Sequence, residues 1–147
     1  MAENKLKTVG KDGKEYFFIY ELEEQYDRIN DITKICFKTL LEGLDKKKWF
    51  DFKVAPVGDN YLKVTDMFDY QDIYKGKGLP EALILEAQKE YSDKQIISSS
   101  NKQKVLKNEW RSDAGTTVWK RLVRIGLAEY YDEKDLFVLK KRPDIDE

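Results

Sequence analysis

The chain has 147 residues, with 27 Lys or Arg against 28 Asp or Glu, one cysteine and no histidine. That length suits one domain able to bury about 70% of its unfolded surface, and the balanced charge argues against an unspecific polyanion binder. The lone Cys36 excludes an internal disulfide or a zinc site built on several thiolates, and without histidine no Ser–His pair, Cys–His pair or His-ligated metal is available.

Any chemistry must therefore draw on carboxylates, Tyr, Lys, Ser/Thr, backbone or solvent. No apolar run approaches the ~18 residues that span a bilayer. The polar start MAENKLKTVGKDGKEY lacks the apolar stretch of a secretory signal. The expectation is a soluble cytoplasmic protein that does not enter a membrane.

In chain order, residues 1–15 are polar with two glycines and are expected to fray. YFFIYEL (16–22) reads as a buried strand. From Arg28 to Leu44, the residues Ile29, Ile32, Ile35, Cys36, Leu40 and Leu44 suit a helix, while ITKICFKTL also fits a strand; helix is the reading taken. WFDFKVA (49–55), the turn PVGDN and NYLKVTDMFDY (60–70) form an antiparallel hairpin. KGKGLP (75–80) is a glycine-rich loop. The helix after it, LPEALILEAQKEY (79–91), has Pro80 at its start and Leu83, Ile84, Ala87 and Tyr91 on one face. QIISSS (95–100) is a strand with a polar end. SDAGTTVWKRLVRIG (112–126) is a helix capped by Ser112 or Asp113 and stopped by Gly126. LAEYY and LFVLK close the chain as a hairpin, before an acidic tail whose last residues, 143–147, are expected to be flexible. This order makes one α+β (mixed α/β) domain.

One loop carries a chemical signal. In Tyr70-Gln71-Asp72-Ile73-Tyr74-Lys75-Gly76-Lys77-Gly78-Leu79-Pro80 a strand ends, two glycines permit a tight turn and a helix begins. A helix start offers unpaired N–H donors and partial positive charge, which suit a pyrophosphate. Lys75 and Lys77 add cations, and residues 75–131 hold 11 Lys/Arg against 7 Asp/Glu. A plain connecting turn is the competing reading, since a lone G-x-G is a weak signal. A Walker A loop is excluded by Leu79-Pro80 after Gly78, and a dinucleotide fingerprint by Glu81 where its third glycine belongs.

Tyr74-Lys75-Gly76-Lys77-Gly78-Leu79-Pro80 followed by EALILEAQ resembles motif A of the GNAT superfamily of acyl-CoA N-acyltransferases. Over about residues 60–140 the order of elements is similar to that family's. The resemblance implies a mostly antiparallel central sheet flanked by helices, with the 60–70 and 95–100 strands parallel and splaying after Tyr70. It implies acetyl-CoA as co-substrate, an amine as acceptor and no metal. Cofactor contacts would fall to Phe68, Asp69 and Tyr70 on the strand and to Lys75, Gly76, Lys77, Gly78 and Leu79 in the loop. A β-carbon at Gly78 would then obstruct the pyrophosphate and leave the fold intact.

The sequence departs from the family pattern at Lys75 (usually Arg or Gln), at Pro80, which removes an N–H, and at Leu122, where many members carry an acidic Tyr. Proton donation would pass to Tyr130 or Tyr131, or the chain would bind without catalysing. Asp66, Asp69 and Asp72 lie near the strand end where a base is needed; Asp69, Asp72 and Tyr130 are the catalytic candidates.

Other features have plainer readings. Ser98-Ser99-Ser100 suits a polar strand end before a ligand site, Trp119 suits the core, and Cys36 suits a small buried residue. Trp110, like Trp119, has a ring able to stack on a ligand. Residues 113–142 also look like the second half of a winged helix, though that module needs two or three short helices upstream. A non-catalytic interaction domain is a further alternative. An open edge strand would permit a homodimer.

Overall fold

The computed structural model describes residues 4–44, 48–69 and 73–141. Among them, eight strands form one sheet and two α-helices pack on it. The first five strands form a meander: β1 (Asn4–Val9), β2 (Glu15–Asp27), β3 (Ile32–Leu41), β4 (Phe50–Val57) and β5 (Tyr61–Asp69). Each pairs antiparallel with the one before it. Helix α1 (Leu79–Glu90) then crosses over to β6 (Gln95–Ile97), which lies parallel to β5. After α2 (Asp113–Arg124) come β7 (Ala128–Tyr131) and β8 (Leu136–Leu139). β8 inserts between β6 and β7, so the order is β1-β2-β3-β4-β5-β6-β8-β7.

The sheet curls. Helix α1 touches both β1 and β6, five places apart in that order, so the strands wrap around it. Its apolar face, Leu79, Leu83, Ile84 and Ala87, is buried in one core with Phe18, Tyr20, Phe37 and Phe52 from the meander and Trp119 and Leu122 from α2. Burying one such side chain contributes about 1.5–3 kcal/mol, so this shared core is what makes helices and sheet one unit. Pro80 opens α1, where its missing N–H costs no bond. Ser112 caps α2 by accepting from Gly115 N–H at 3.0 Å.

Three sequence expectations fail. Residues 4–9 do not fray but form the edge strand β1, in which Lys5 and Lys7 alternate with Leu6 and the buried Thr8. The segment 28–44 is not a helix: its centre is β3, a strand covered on both faces, with Cys36 and Phe37 both fully buried. Two adjacent buried residues erase the period-2 signature and leave spacings that mimic a helix. The parallel pairing of β5 with β6 ends at Lys63 opposite Ile97, so the strands part well before Tyr70. Tyr70 itself lies outside the described residues, as do 143–147.

No helix precedes α1 among the described residues, so the upstream helices of a winged-helix module are not there. No helix among them is long and apolar enough to cross a membrane.

The contact between β2 and α1 has a polar point. Tyr20, nearly fully buried, donates toward Glu86 at 2.5 Å and Glu90 at 2.8 Å. One phenolic proton faces two carboxylates one helical turn apart, and desolvation and these carboxylates hold the Tyr20 hydroxyl firmly protonated. Tyr20→Phe is expected to lower stability by about 1 kcal/mol, read as a Tm decrease of a few degrees by circular dichroism. An unchanged Tm would mean that relief of the carboxylate crowding offsets the lost bond.

Candidate functional site

The loop before α1 is fixed from two sides. Tyr74 is buried, and its hydroxyl donates to the Lys48 carbonyl at 2.6 Å and accepts from Leu41 N–H at 3.3 Å. On the other side the β1–β2 hairpin straps the loop. Thr8 Oγ1 donates to the Lys77 carbonyl at 2.6 Å, and Lys11 N–H donates to the Gly76 carbonyl at 2.9 Å. Gly76 (φ 74°) and Gly78 (φ 75°) both occupy the left-handed region that favours glycine.

The cations of this loop separate. Lys77 Nζ donates to the Ile73 carbonyl at 2.6 Å and lies 5.2 Å from the Tyr16 ring centre, so it braces the loop. Lys75 is exposed. The side of Gly76 where a side chain would project is open, with nothing within 4 Å. Gly78 caps α1 without a side-chain bond. The first turn of α1 also carries a carboxylate, Glu81, one oxygen of which pairs with Arg121 at 2.7 Å.

Beyond Lys63 and Ile97 the parallel strands open into a wedge. A β-bulge makes it: Lys53 opposes Asp66 but Val54 opposes Val64, so Thr65 is the extra residue. A bulge bends the strand and re-aims its side chains. Across the apex, Ser99 Oγ donates to the Val64 carbonyl at 2.7 Å. The serine run is a buried knot: Ser98 Oγ accepts from Phe137 N–H at 3.0 Å, and Ser100 Oγ donates to the Lys134 carbonyl at 2.7 Å. On the helix side, Met67 reaches the start of α2 near Gly115.

On the opposite face the segment 98–111 covers the sheet. Its anchor is a buried ion pair between Lys63 Nζ and Glu109 at 2.6 Å, with the residues 2% and 5% exposed. Glu109 also accepts from Ser100, Val105 and Leu106 N–H. Burial alone would raise its pKa, but Lys63 and these amides outweigh it and hold the carboxyl below its usual range. Arg111 donates to the carbonyls of Ser99 and Asp135 and to the Asp135 carboxylate at 2.6 Å.

Between this segment and the β2–β3 turn lies a cavity of about 350 Å³ at the mouth of the wedge. Thr65 and Asp66 are in its floor, Tyr26 and Trp110 in its walls. Asp66 accepts from Thr65 Oγ1 at 2.6 Å and from Lys34 Nζ at 3.3 Å, and Lys34 also pairs with Asp27 at 3.7 Å. These two contacts orient the Asp66 carboxylate.

The expected site residues are therefore brought together only in part. Lys75, Gly76, Lys77, Gly78 and Leu79 form one loop, but Leu79 is a core residue. Phe68 and Asp69 end β5, paired through backbone with Asp51 and Phe50. Tyr70 and Asp72 lie outside the described residues. Tyr130 sits on β7, the sheet edge opposite β1, and its hydroxyl donates to Asp135 at 2.8 Å. That bond raises its pKa further, and the strand β1 that straps the loop lies at the other end of the strand order. Leu122 is fully buried, and Trp119 is core as expected.

Sequence reading missed Glu109, Lys63 and Lys34, whose partners lie 46 and 32 residues away for Glu109–Lys63 and Lys34–Asp66. Pairing at that range leaves no local signal. Among family models, curated proteins and solved structures, none matches this chain.

Proposed function

We propose that this protein is a GNAT-type N-acyltransferase that passes an acyl group from acetyl-CoA to an amine. The observation that carries the proposal is the bulge-opened wedge: a parallel strand pair, β5 and β6, parting beside a glycine loop and the start of the helix that joins them. Ligands of α/β crossovers bind beyond the carboxyl ends of parallel strands, with phosphates at the helix start.

In this reading Gly76 and the start of α1 hold the pyrophosphate, with Lys75 as the exposed cation beside it. Pro80 leaves one donor fewer, so Lys75 weighs more. Past the wedge apex, the β5 backbone on the β6 side runs along the pantetheine arm as a neighbouring strand would. Acetyl-CoA supplies the acyl group as a thioester. Backbone N–H groups of β5 near Phe68 and Asp69 polarise its carbonyl as negative charge develops. Asp66, held by Thr65 and Lys34, takes the proton that the acceptor's ammonium gives up. The amine nitrogen bonds to the carbonyl carbon and gives its second proton to solvent, the C–S bond breaks, and the thiolate leaves and is protonated from solvent. Both reactants are fixed in line, which lowers the entropic part of the barrier.

The test is thermal unfolding with and without acetyl-CoA. At 100 times its Kd the ligand should stabilise the fold by about 2.7 kcal/mol. Lys75→Glu places a negative charge against phosphate and is expected to weaken binding about tenfold, an effect equivalent to about 1.4 kcal/mol. Lys75→Ala should do less, because one exposed charge contributes about 1 kcal/mol at most. No shift at millimolar acetyl-CoA would overturn the proposal in favour of a non-catalytic interaction domain.

A further inference from the structure

The cavity at the wedge mouth has rigid walls. Trp110 is 63% exposed and Tyr26 62%, an unusual display for the two largest ring types. Neither stands on a loose segment. Trp110 lies between Glu109 and Arg111, both buried and each fixed by several hydrogen bonds. Tyr26 donates to Asp31 at 2.6 Å.

The two walls are tied to each other. Lys107 N–H donates to Asn30 Oδ1 at 2.7 Å, and Asn30 Nδ2 donates to the Lys107 carbonyl at 3.3 Å. Each wall also carries a non-glycine residue in the left-handed region, Asp31 (φ 53°) and Asn108 (φ 64°). Such conformations persist where the surroundings over-determine them, and they cluster at ligand clamps. Exposed rings held in the lining of one cavity of this size are a seat for a third ring.

The charges narrow the class. Asp27 is engaged by the amides of Ile29 and Asn30 and by Lys34, and Glu109 is neutralised by Lys63. Lys34 is shared between Asp27 and Asp66, while Lys53 and Lys107 add two more positive charges to the lining. Beyond the buried pair, three ammonium groups thus face two carboxylates. A simple cationic amine makes no use of Lys53 and Lys107, and a simple acid makes no use of Asp66. A zwitterion satisfies both signs.

We propose that the acceptor in this cavity is a free aromatic α-amino acid, its ring between Tyr26 and Trp110, its carboxylate toward Lys53 and Lys107, and its amine toward Asp66 and the wedge. The acceptor role, though not the ring seat, rests on the acyl-transfer reading above.

The test follows the Trp110 indole N–H signal by NMR during titration of the full chain with four compounds. L-Phenylalanine carries all three groups; phenethylamine lacks the carboxylate, 3-phenylpropionate the amine and L-alanine the ring. L-Phenylalanine should shift the signal saturably, with each truncated compound at least about tenfold weaker. Lys53→Gln combined with Lys107→Gln should weaken L-phenylalanine but not phenethylamine, whereas a merely structural role for these lysines would weaken both. Absence of a saturable shift, or any truncated compound binding as tightly as L-phenylalanine, would overturn the proposal. The acetyl-CoA unfolding test separates the two readings. Acetyl-CoA binding without an L-phenylalanine response removes this acceptor alone. An L-phenylalanine response without acetyl-CoA binding removes acyl transfer and the acceptor role with it.

Discussion

Replacing Glu109 by alanine is expected to destabilise the protein by about 3–5 kcal/mol, the range for breaking a buried ion pair by removing one partner. The carboxylate accepts from Lys63 Nζ at 2.6 Å and from the N–H groups of Ser100, Val105 and Leu106 at 2.6, 2.8 and 3.0 Å. Without it, Lys63 remains as an unpaired ammonium 2% exposed, and three amides lose their acceptor. Urea unfolding measures the loss, and a cost under about 1 kcal/mol would mean that water replaces the carboxylate. Adding Lys63→Met should recover part of the loss, because the buried charge goes but the three amides stay orphaned.

The same carboxylate has a pH signature. Its folded pKa lies below the ordinary 4.5. A depressed carboxylate pKa contributes stability that is present above the unfolded value and is lost as pH falls through the folded one. Wild type should therefore lose stability progressively below about pH 4.5. Glu109→Gln should show a flatter acid limb from a lower plateau.

Gly78→Val is the second large effect, and it falls on the fold before it reaches any ligand. A β-carbon there would lie 3.0 Å from the Val9 carbonyl oxygen and 3.9 Å from the Thr8 β-carbon. The left-handed backbone adds about 1–2 kcal/mol for an L side chain, and displacing the strap endangers the Thr8–Lys77 and Lys11–Gly76 bonds. A total of about 3 kcal/mol is expected by urea unfolding. The sequence-based expectation that this substitution spares the fold is thus corrected. Gly76→Ala is the cleaner variant, since its side chain meets nothing within 4 Å and only the backbone penalty applies. Equal stability of the two variants would show that the strap contributes nothing.

What could be read in advance followed local rules. Pro80 and Ser112 mark helix starts through the chemistry of missing or unpaired N–H groups, and both helices begin where these residues stand. The alternation in Phe50, Phe52 and Val54 marks a strand with one face in the core. β3 defeated the same logic because it is buried on both faces, with the adjacent Cys36 and Phe37 both fully buried, and such a strand has no period of two. β1 defeated it in the opposite way. Its polar residues suit an edge strand, but an edge strand of that composition cannot be told from a tail until its partner β2 is known. At the candidate site, the glycines and lysines of the loop were legible because a turn needs them locally. The wedge was not, since it arises from one extra residue in β5 counted against β4, and Trp110 was a candidate only by type until the fold brought it into one cavity lining with Tyr26.

The arrangement of the meander also bears on synthesis. From β1 to β5 every sheet neighbour is a sequence neighbour, so this half can zip up hairpin by hairpin as it leaves the ribosome. Its inner surface, with Phe18, Tyr20, Phe37 and Phe52, stays bare until the residues of α1 have been made. The nascent chain therefore passes through a stage with an apolar face and an open β5 edge, the combination that promotes aggregation. A fragment ending near residue 70 should sediment when expressed alone and become soluble when residues 73–147 are supplied on a second chain. The helix would then be acting toward the first half of its own protein as a chaperone that never leaves.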